Sequence, residues 1–208
     1  EIVGITLNKG SSLFLDADPW NPAIKNQSVV KKLTSNGGNI KLTGSGTITG
    51  THEERNILND TTVSIYDNSV LEYADFSGKS IINASQTDRV NSPQGELNQT
   101  IDNVTLRGNS ELRTYGDVDK VNISNISLYD DSLIDARKDA NLKNVFLGDN
   151  ATLYVLENPI GLEDLELRDK SYVLLNNQIT SMFIGGDFIA NGGTVAWSSG
   201  NDYNTKTL

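Results

Sequence analysis

The sequence predicts an all-β fold, a parallel β-helix in which coils of about 20 residues stack along one axis. Three observations carry this. An apolar spacing of 0, 2 and 8 recurs along the chain, a column of small residues keeps one position in each repeat, and polar turn residues stand between them.

The spacing is seen at Val145, Leu147 and Leu153. It returns at Ile5/Leu7/Leu13, Ile40/Leu42/Ile48, Val63/Ile65/Leu71, Val104/Leu106/Leu112, Ile126/Leu128/Ile134 and Leu165/Leu167/Val173. An apolar period of 2 belongs to a strand with one buried face, whereas a helical solenoid shows spacings of 3 and 4. No copy carries the L-x-x-L-x-L-x-x-N run of a leucine-rich repeat.

The middle anchors fall at 7, 42, 65, 106, 128, 147 and 167, so the steps are 35, 23, 41, 22, 19 and 20. The step of 41 reads as two coils, the weaker one built around Ile81 and Ile82. The step of 35 reads as one coil with about fifteen additional residues, and DADPWNPAIKNQS, Asp16 to Ser28, is the excursion. Some ten coils at the strand spacing would make a rod of roughly 50 Å.

Four residues after each middle anchor stand Ser11, Gly46, Ser69, Ser110, Ser132, Ala151 and Ser171. Strand parity points this slot inward at a bend, where only a small side chain fits. The two residues before it are Lys9-Gly10, Gly44-Ser45, Asp67-Asn68, Gly108-Asn109, Asp130-Asp131, Asp149-Asn150 and Asp169-Lys170. These types tolerate positive φ or bond their own backbone, and all seven read as equivalent corners. A second corner precedes the anchors in IDNV, ISNI, LKNV and LEDL, which end at Val104, Ile126, Val145 and Leu165, and Asn39 before Ile40 matches it.

Toward the end, Ile189 and Val195 keep their spacing and Gly193 keeps the small slot, but Asp187 takes the first anchor position. Residues 1–208 thus read as a single domain whose pattern fades toward a C-terminal cap region at 185–208. The chain begins at Glu1 without an initiator Met, as expected of a processed or excised fragment.

A net charge of -10 repels phosphate backbones, so nucleic acid is not an expected partner. Without cysteine there is no disulfide framework, thiolate metal site or Cys nucleophile. No apolar run approaches the ~18 residues that a membrane-spanning helix needs.

In NGGNIKLTGSGTITG (Asn36 to Gly50), in the L-x-N-V-x-L-x-D-N-S-x-L style of coil and in GGDFIANGGTVAWSSG (Gly185 to Gly200), the chain resembles the passenger domains of bacterial autotransporters. These are the secreted parts of type V secretion proteins, including self-associating adhesins and serine protease autotransporters. The resemblance spans nearly the whole chain. It implies a right-handed β-helix, export through the periplasm and outer membrane, and display at the bacterial cell surface or release outside the cell. It also implies an outer-membrane barrel outside this fragment, and Gly185 to Leu208 is similar to the approach to a capping segment. No G-D-S-G motif of the protease domain is present.

Catalysis has little to build on. His52 is the one histidine, set among charged residues in THEERN, and reads as a surface loop and not as part of a Ser-His-acid triad. The serine column reads as inward packing and hydroxyl ladders. Asp130, Asp149 and Asp169 share one slot on successive coils, so stacking brings carboxylates within about 5 Å. Such a column could recruit calcium, or the side chains could turn to bond corner amides; the second is expected, because no G-G-x-G-x-D repeat accompanies them. Asp16 with Asp18, or Asp130 with Asp131, could serve a carbohydrate-cleaving β-helix on paper, but neighbouring strand residues face opposite ways, which weakens Asp130 with Asp131.

Binding is the better expectation. Trp20, between two prolines in DADPWNP, either anchors a partner or packs over the helix end. Trp20, Asp130, Asp149 and Asp169 are therefore the candidate binding residues, with no catalytic residue, metal or cofactor expected. Polar ladders along a flat side could pair two rods. The expected role is adhesion or self-association, toward a host-surface or extracellular-matrix ligand or another copy of the chain. The alternatives are the stalk of a secreted serine protease autotransporter and a carbohydrate-active enzyme.

Overall fold

A computed structural model describes residues 1–16, 28–85, 98–115, 120–137, 140–156, 161–176, 179 and 183–199, together with the backbone of 202–207. The chain is a right-handed β-solenoid of parallel strands, with no helix among the described residues. Successive coils are β1 (Ile2–Leu7) with β2 (Ser12–Asp16), β3 (Val29–Asn36) with β4 (Asn39–Thr43), and β5 (Thr47–Thr49) with β6 (Asn56–Asn59) and β7 (Thr62–Ile65). There follow β8 (Val70–Ser77) with β9 (Ile81–Ala84), β10 (Asn98–Leu106) with β11 (Glu111–Thr114), and β12 (Lys120–Leu128) with β13 (Leu133–Ala136). Then come β14 (Ala140–Leu147) with β15 (Thr152–Val155), the long β16 (Gly161–Leu175) and the long β17 (Phe188–Ser199).

Each coil has three faces. In the coil of β10 and β11, Ile101 points inward from the first face, Val104 and Leu106 from the second, and Leu112 from the third. Their register partners repeat this coil after coil: Val104, Ile126, Val145 and Leu165 align, as do Leu106, Leu128, Leu147 and Leu167. On the third face Leu112, Ile134, Leu153 and Val173 align. All are buried, each contributing about 1.5–3 kcal/mol. The weak coil is Ala74, Phe76 and Ile82, in register with Val104, Leu106 and Leu112. It keeps the 0, 2, 8 spacing behind an alanine.

Two of the seven triplets sit elsewhere than their spacing suggests. Ile40 and Leu42 align with Leu13 and Leu15 on the third face, and Val63 and Ile65 align with Ile82 and Ala84 there. Their third members, Ile48 and Leu71, begin the next coil on the first face, where Leu71 aligns with Ile101. The seven corners are therefore not equivalent: Gly44-Ser45 and Asp67-Asn68 turn the third edge, and the other five turn the second. The physical reason is that a tight arc between two inward strands demands the same inward-small and positive-φ pattern at either edge.

A single left-handed residue makes the first edge: Gly4, Lys32, Tyr73, Asn103, Asn125, Asn144 and Asp164 all have positive φ. Asn and Asp adopt this region most readily among residues with a Cβ, which accounts for the x-N-V signature. Asn39 is not one of these bends; it starts β4 and pairs with Ser12 and Thr62, while Lys32 makes the bend of its coil. The second edge turns through Gly10, Gly37, Asp60, Gly78, Gly108, Asp130, Asp149 and Asp169, again at positive φ. Behind it Ser80, Ser110, Ser132, Ala151 and Ser171 are buried.

Length varies mainly at the third edge. Between Asp16 and Ser28, residues 17–27 lie outside the described set, yet the ends meet, because Ser28 Oγ donates to the Asp16 carbonyl at 3.1 Å. At the far end β17 still stacks in parallel on β16, with an irregularity between Asp169 and Tyr172. Parallel stacking then stops, as β18 (Asp202–Thr207) runs antiparallel to β17.

Candidate functional site

The structure brings Asp130, Asp149 and Asp169 into one column and directs each toward the backbone. Gly108 N–H donates to Asp130 Oδ2 at 2.9 Å, Asp130 N–H to Asp149 Oδ2 at 3.1 Å, and Asp149 N–H to Asp169 Oδ2 at 3.3 Å. At these corners the carboxylate one coil later accepts from the amide of the left-handed residue, whereas the amides of Gly10, Gly37 and Asp60 donate to backbone carbonyls. Asp67 Oδ2 does the same for Gly44 N–H at 2.9 Å on the third edge. Among the described residues no three or more His, Cys, Asp or Glu side chains are placed to hold a metal ion.

The other candidates do not converge on these. Trp20 and Asp18 lie outside the described residues. Asp16 Oδ1 accepts from Thr43 Oγ1 at 2.9 Å, and Asp131 Oδ1 accepts from Asn150 Nδ2 at 3.1 Å. His52 is exposed in the turn between β5 and β6, and its ring packs edge-on against Tyr73 with centroids 5.6 Å apart.

Inward residues recur with the coil and are legible in the sequence, whereas the outward rows emerge only from register. Along the first edge Asn144 Nδ2 donates to Asn125 Oδ1, and Asn125 Nδ2 to Asp102 Oδ1, both at 2.8 Å. On the second face the Arg107 guanidinium lies 4.1 Å from the Tyr129 ring centre, Tyr129 lies 5.3 Å from Phe146, and the Arg168 guanidinium lies 5.4 Å from Phe146. Gly148 makes room for this stack, since a Cβ there would come within 3.0 Å of the Phe146 ring.

The third face is charged. Lys41 reaches the rings of Phe14 and Tyr66, Arg113 pairs with Glu111 at 2.6 Å, and Arg137 with Asp135 at 3.4 Å. Burial pushes the Asp135 carboxyl above its ordinary value, against the pull of Arg137. The first face carries an open groove of about 750 Å³ lined by Asn122, Asn141, Lys143, Glu163 and Phe183, among others. Lys143 and Glu163 pair at 2.8 Å, and this contact raises the Lys143 pKa.

Compared with protein-family models, curated proteins and solved structures, the chain matches none. Its functional reading therefore stands on coil style and geometry. The outward signal was present in the sequence at every second residue, but which outward residues adjoin depends on coil lengths that range from 18 to 30, measured along Leu7, Ser35, Leu58, Phe76, Leu106, Leu128, Leu147 and Leu167.

Proposed function

We propose that this chain is a surface-displayed, non-catalytic β-solenoid region of an autotransporter passenger, acting in adhesion or self-association. The observation that supports it best is that ordered polar and aromatic groups run along the rod as ladders instead of converging on one point. Asp102, Asn125 and Asn144 link three coils, and Arg107, Tyr129, Phe146 and Arg168 link four. A ladder repeats its chemistry about every 4.8 Å, which suits an extended ligand or a second rod, each contact weak and the sum useful. Asp130, Asp149 and Asp169 accept from corner amides, while Asp131 accepts from the Asn150 side chain and Asp16 from the Thr43 hydroxyl. The autotransporter coil style supports export to the cell surface.

The test is display of the chain on a non-clumping bacterium. Clumping or binding to host matrix is expected, and the double variant Asn125→Ala/Asn144→Ala should reduce it without loss of β-structure by circular dichroism. Turnover of a uronic-acid polymer by the purified chain would overturn the non-catalytic reading.

A further inference from the structure

The groove on the first face has an organisation of its own. Asn122, Asn141 and Gly161 occupy one register position on consecutive coils. Phe183 continues that column, since the next residue, Ile184, bridges to Leu162. Asn141 Nδ2 donates to Asn122 Oδ1 at 3.4 Å, so the two amides form a short ladder. The ladder stops at Gly161, where a Cβ would lie 2.6 Å from Asn141 Oδ1. Glycine thus leaves an amide oxygen facing open space above bare backbone. One coil further stands Phe183, 81% exposed and the most exposed large apolar side chain among the described residues. Beside this column runs a row of Ser124, Lys143, Glu163 and Gly185, with Lys143 neutralised by Glu163.

An aromatic ring left in water forgoes burial free energy, and here it does so at the end of a groove and not on an open face. Next to it are fixed donors and acceptors of both kinds: an open amide oxygen, an amide NH₂, an ammonium and a carboxylate. This is the complement of a sugar ring, which offers an apolar C–H face and a rim of hydroxyls. The spacing of coils, about 4.8 Å, is close to the length of one hexose in an extended chain. Charge narrows the class. Lys143 is paired with Glu163, which leaves Lys120 as a single surplus charge in the groove lining, and a chain of net charge -10 repels polyanions.

We propose that this groove binds a neutral glycan chain laterally, with one pyranose ring stacked on Phe183 and hydroxyls of the adjoining units bonded to Asn141, Asn122 and the Lys143–Glu163 pair. The proposal names a ligand class for the adhesion reading and rests on it.

Calorimetric titration of the whole chain tests this, using hexamers of β-1,4-glucose and β-1,4-N-acetylglucosamine as neutral probes and a galacturonate hexamer as the acidic one. At least one neutral hexamer is expected to bind, and more tightly than its monomer. Phe183→Ala should weaken binding about tenfold or more, and Gly161→Asn, which covers the Asn141 oxygen, should weaken it similarly. Phe14→Ala, an exposed ring on the third face, should leave binding unchanged. Binding of no neutral hexamer, tighter binding of galacturonate, or indifference to Phe183→Ala would each overturn the proposal. Cell clumping separates the two readings: if sugars do not bind but Asn125→Ala/Asn144→Ala still abolishes clumping, only the glycan assignment fails.

Discussion

Asp149 combines two properties at its position. It holds φ of 52° and it accepts the amide of Asp130 one coil below. Asparagine retains both properties, glycine only the backbone freedom, and alanine neither. Urea denaturation should therefore place Asp149→Asn within about 0.5 kcal/mol of the native chain, Asp149→Gly about 1 kcal/mol lower and Asp149→Ala about 2 kcal/mol lower. Asp135 gives a pH-dependent counterpart. Its folded pKa is raised above the ordinary 3.8, first by burial, so the stability it lends is fully present below 3.8 and is lost as pH rises through the folded value. Asp135→Asn should then melt higher than the native chain at neutral pH, and the difference should vanish in acid below pH 3.8. Thermal melts across that range read it directly.

The inward serine column shows what an element of the fold requires. Ser132 Oγ donates to the Tyr129 carbonyl at 2.7 Å and closes its own turn, as Ser110 does with Arg107 at 2.7 Å. Ser171 Oγ is buried and has no partner among the described residues, and Ala151 fills the same slot without a hydroxyl. The turn thus requires small size, and the hydroxyl adds stability only where a carbonyl meets it. Ser132→Ala should cost about 1 kcal/mol, while Ser171→Ala should leave the chain at least as stable. Equal losses at both positions in chemical denaturation would contradict this account. The same size rule at two different edges explains why Gly46 and Ser69 look like Ser110 in the sequence while turning another corner.

At the scale of the molecule, each coil packs mainly against its neighbours, with Arg55 reaching past β8 to the Asn103 carbonyl at 2.7 Å, so stability is nearly one-dimensional. Coils in the middle are covered on both sides. On the coil of β1 and β2, Ile2, Val3 and Phe14 are exposed. Amide hydrogen exchange should accordingly be slowest in β10, β12 and β14 and fastest in β1 and β2, with a graded profile along the axis. Uniform protection from end to end, as in a compact two-state domain, would speak against independent coils. Extra length collects mainly at the third edge, which leaves the first and second faces regular enough to carry ladders.

The sequence by itself determined the fold, because a solenoid repeats one local rule: inward aliphatics at strand parity, a small residue at the arc, and mostly Asn, Asp or Gly where φ turns positive, Lys32 and Tyr73 being the exceptions. Leu106, Leu128, Leu147 and Leu167 could be aligned without coordinates since one unchanged arc separates each from the next face. It also placed Asp130, Asp149 and Asp169 in one column. Only the tertiary structure decided that Ile40 and Val63 belong to a different face from Val104, that those carboxylates hold corner amides, and that Phe183 stands above Gly161 and Asn141. The reason is physical. Inward residues are specified by burial and recur with the coil, whereas outward neighbours are set by register between coils of unequal length, and that register exists only once the coils have stacked.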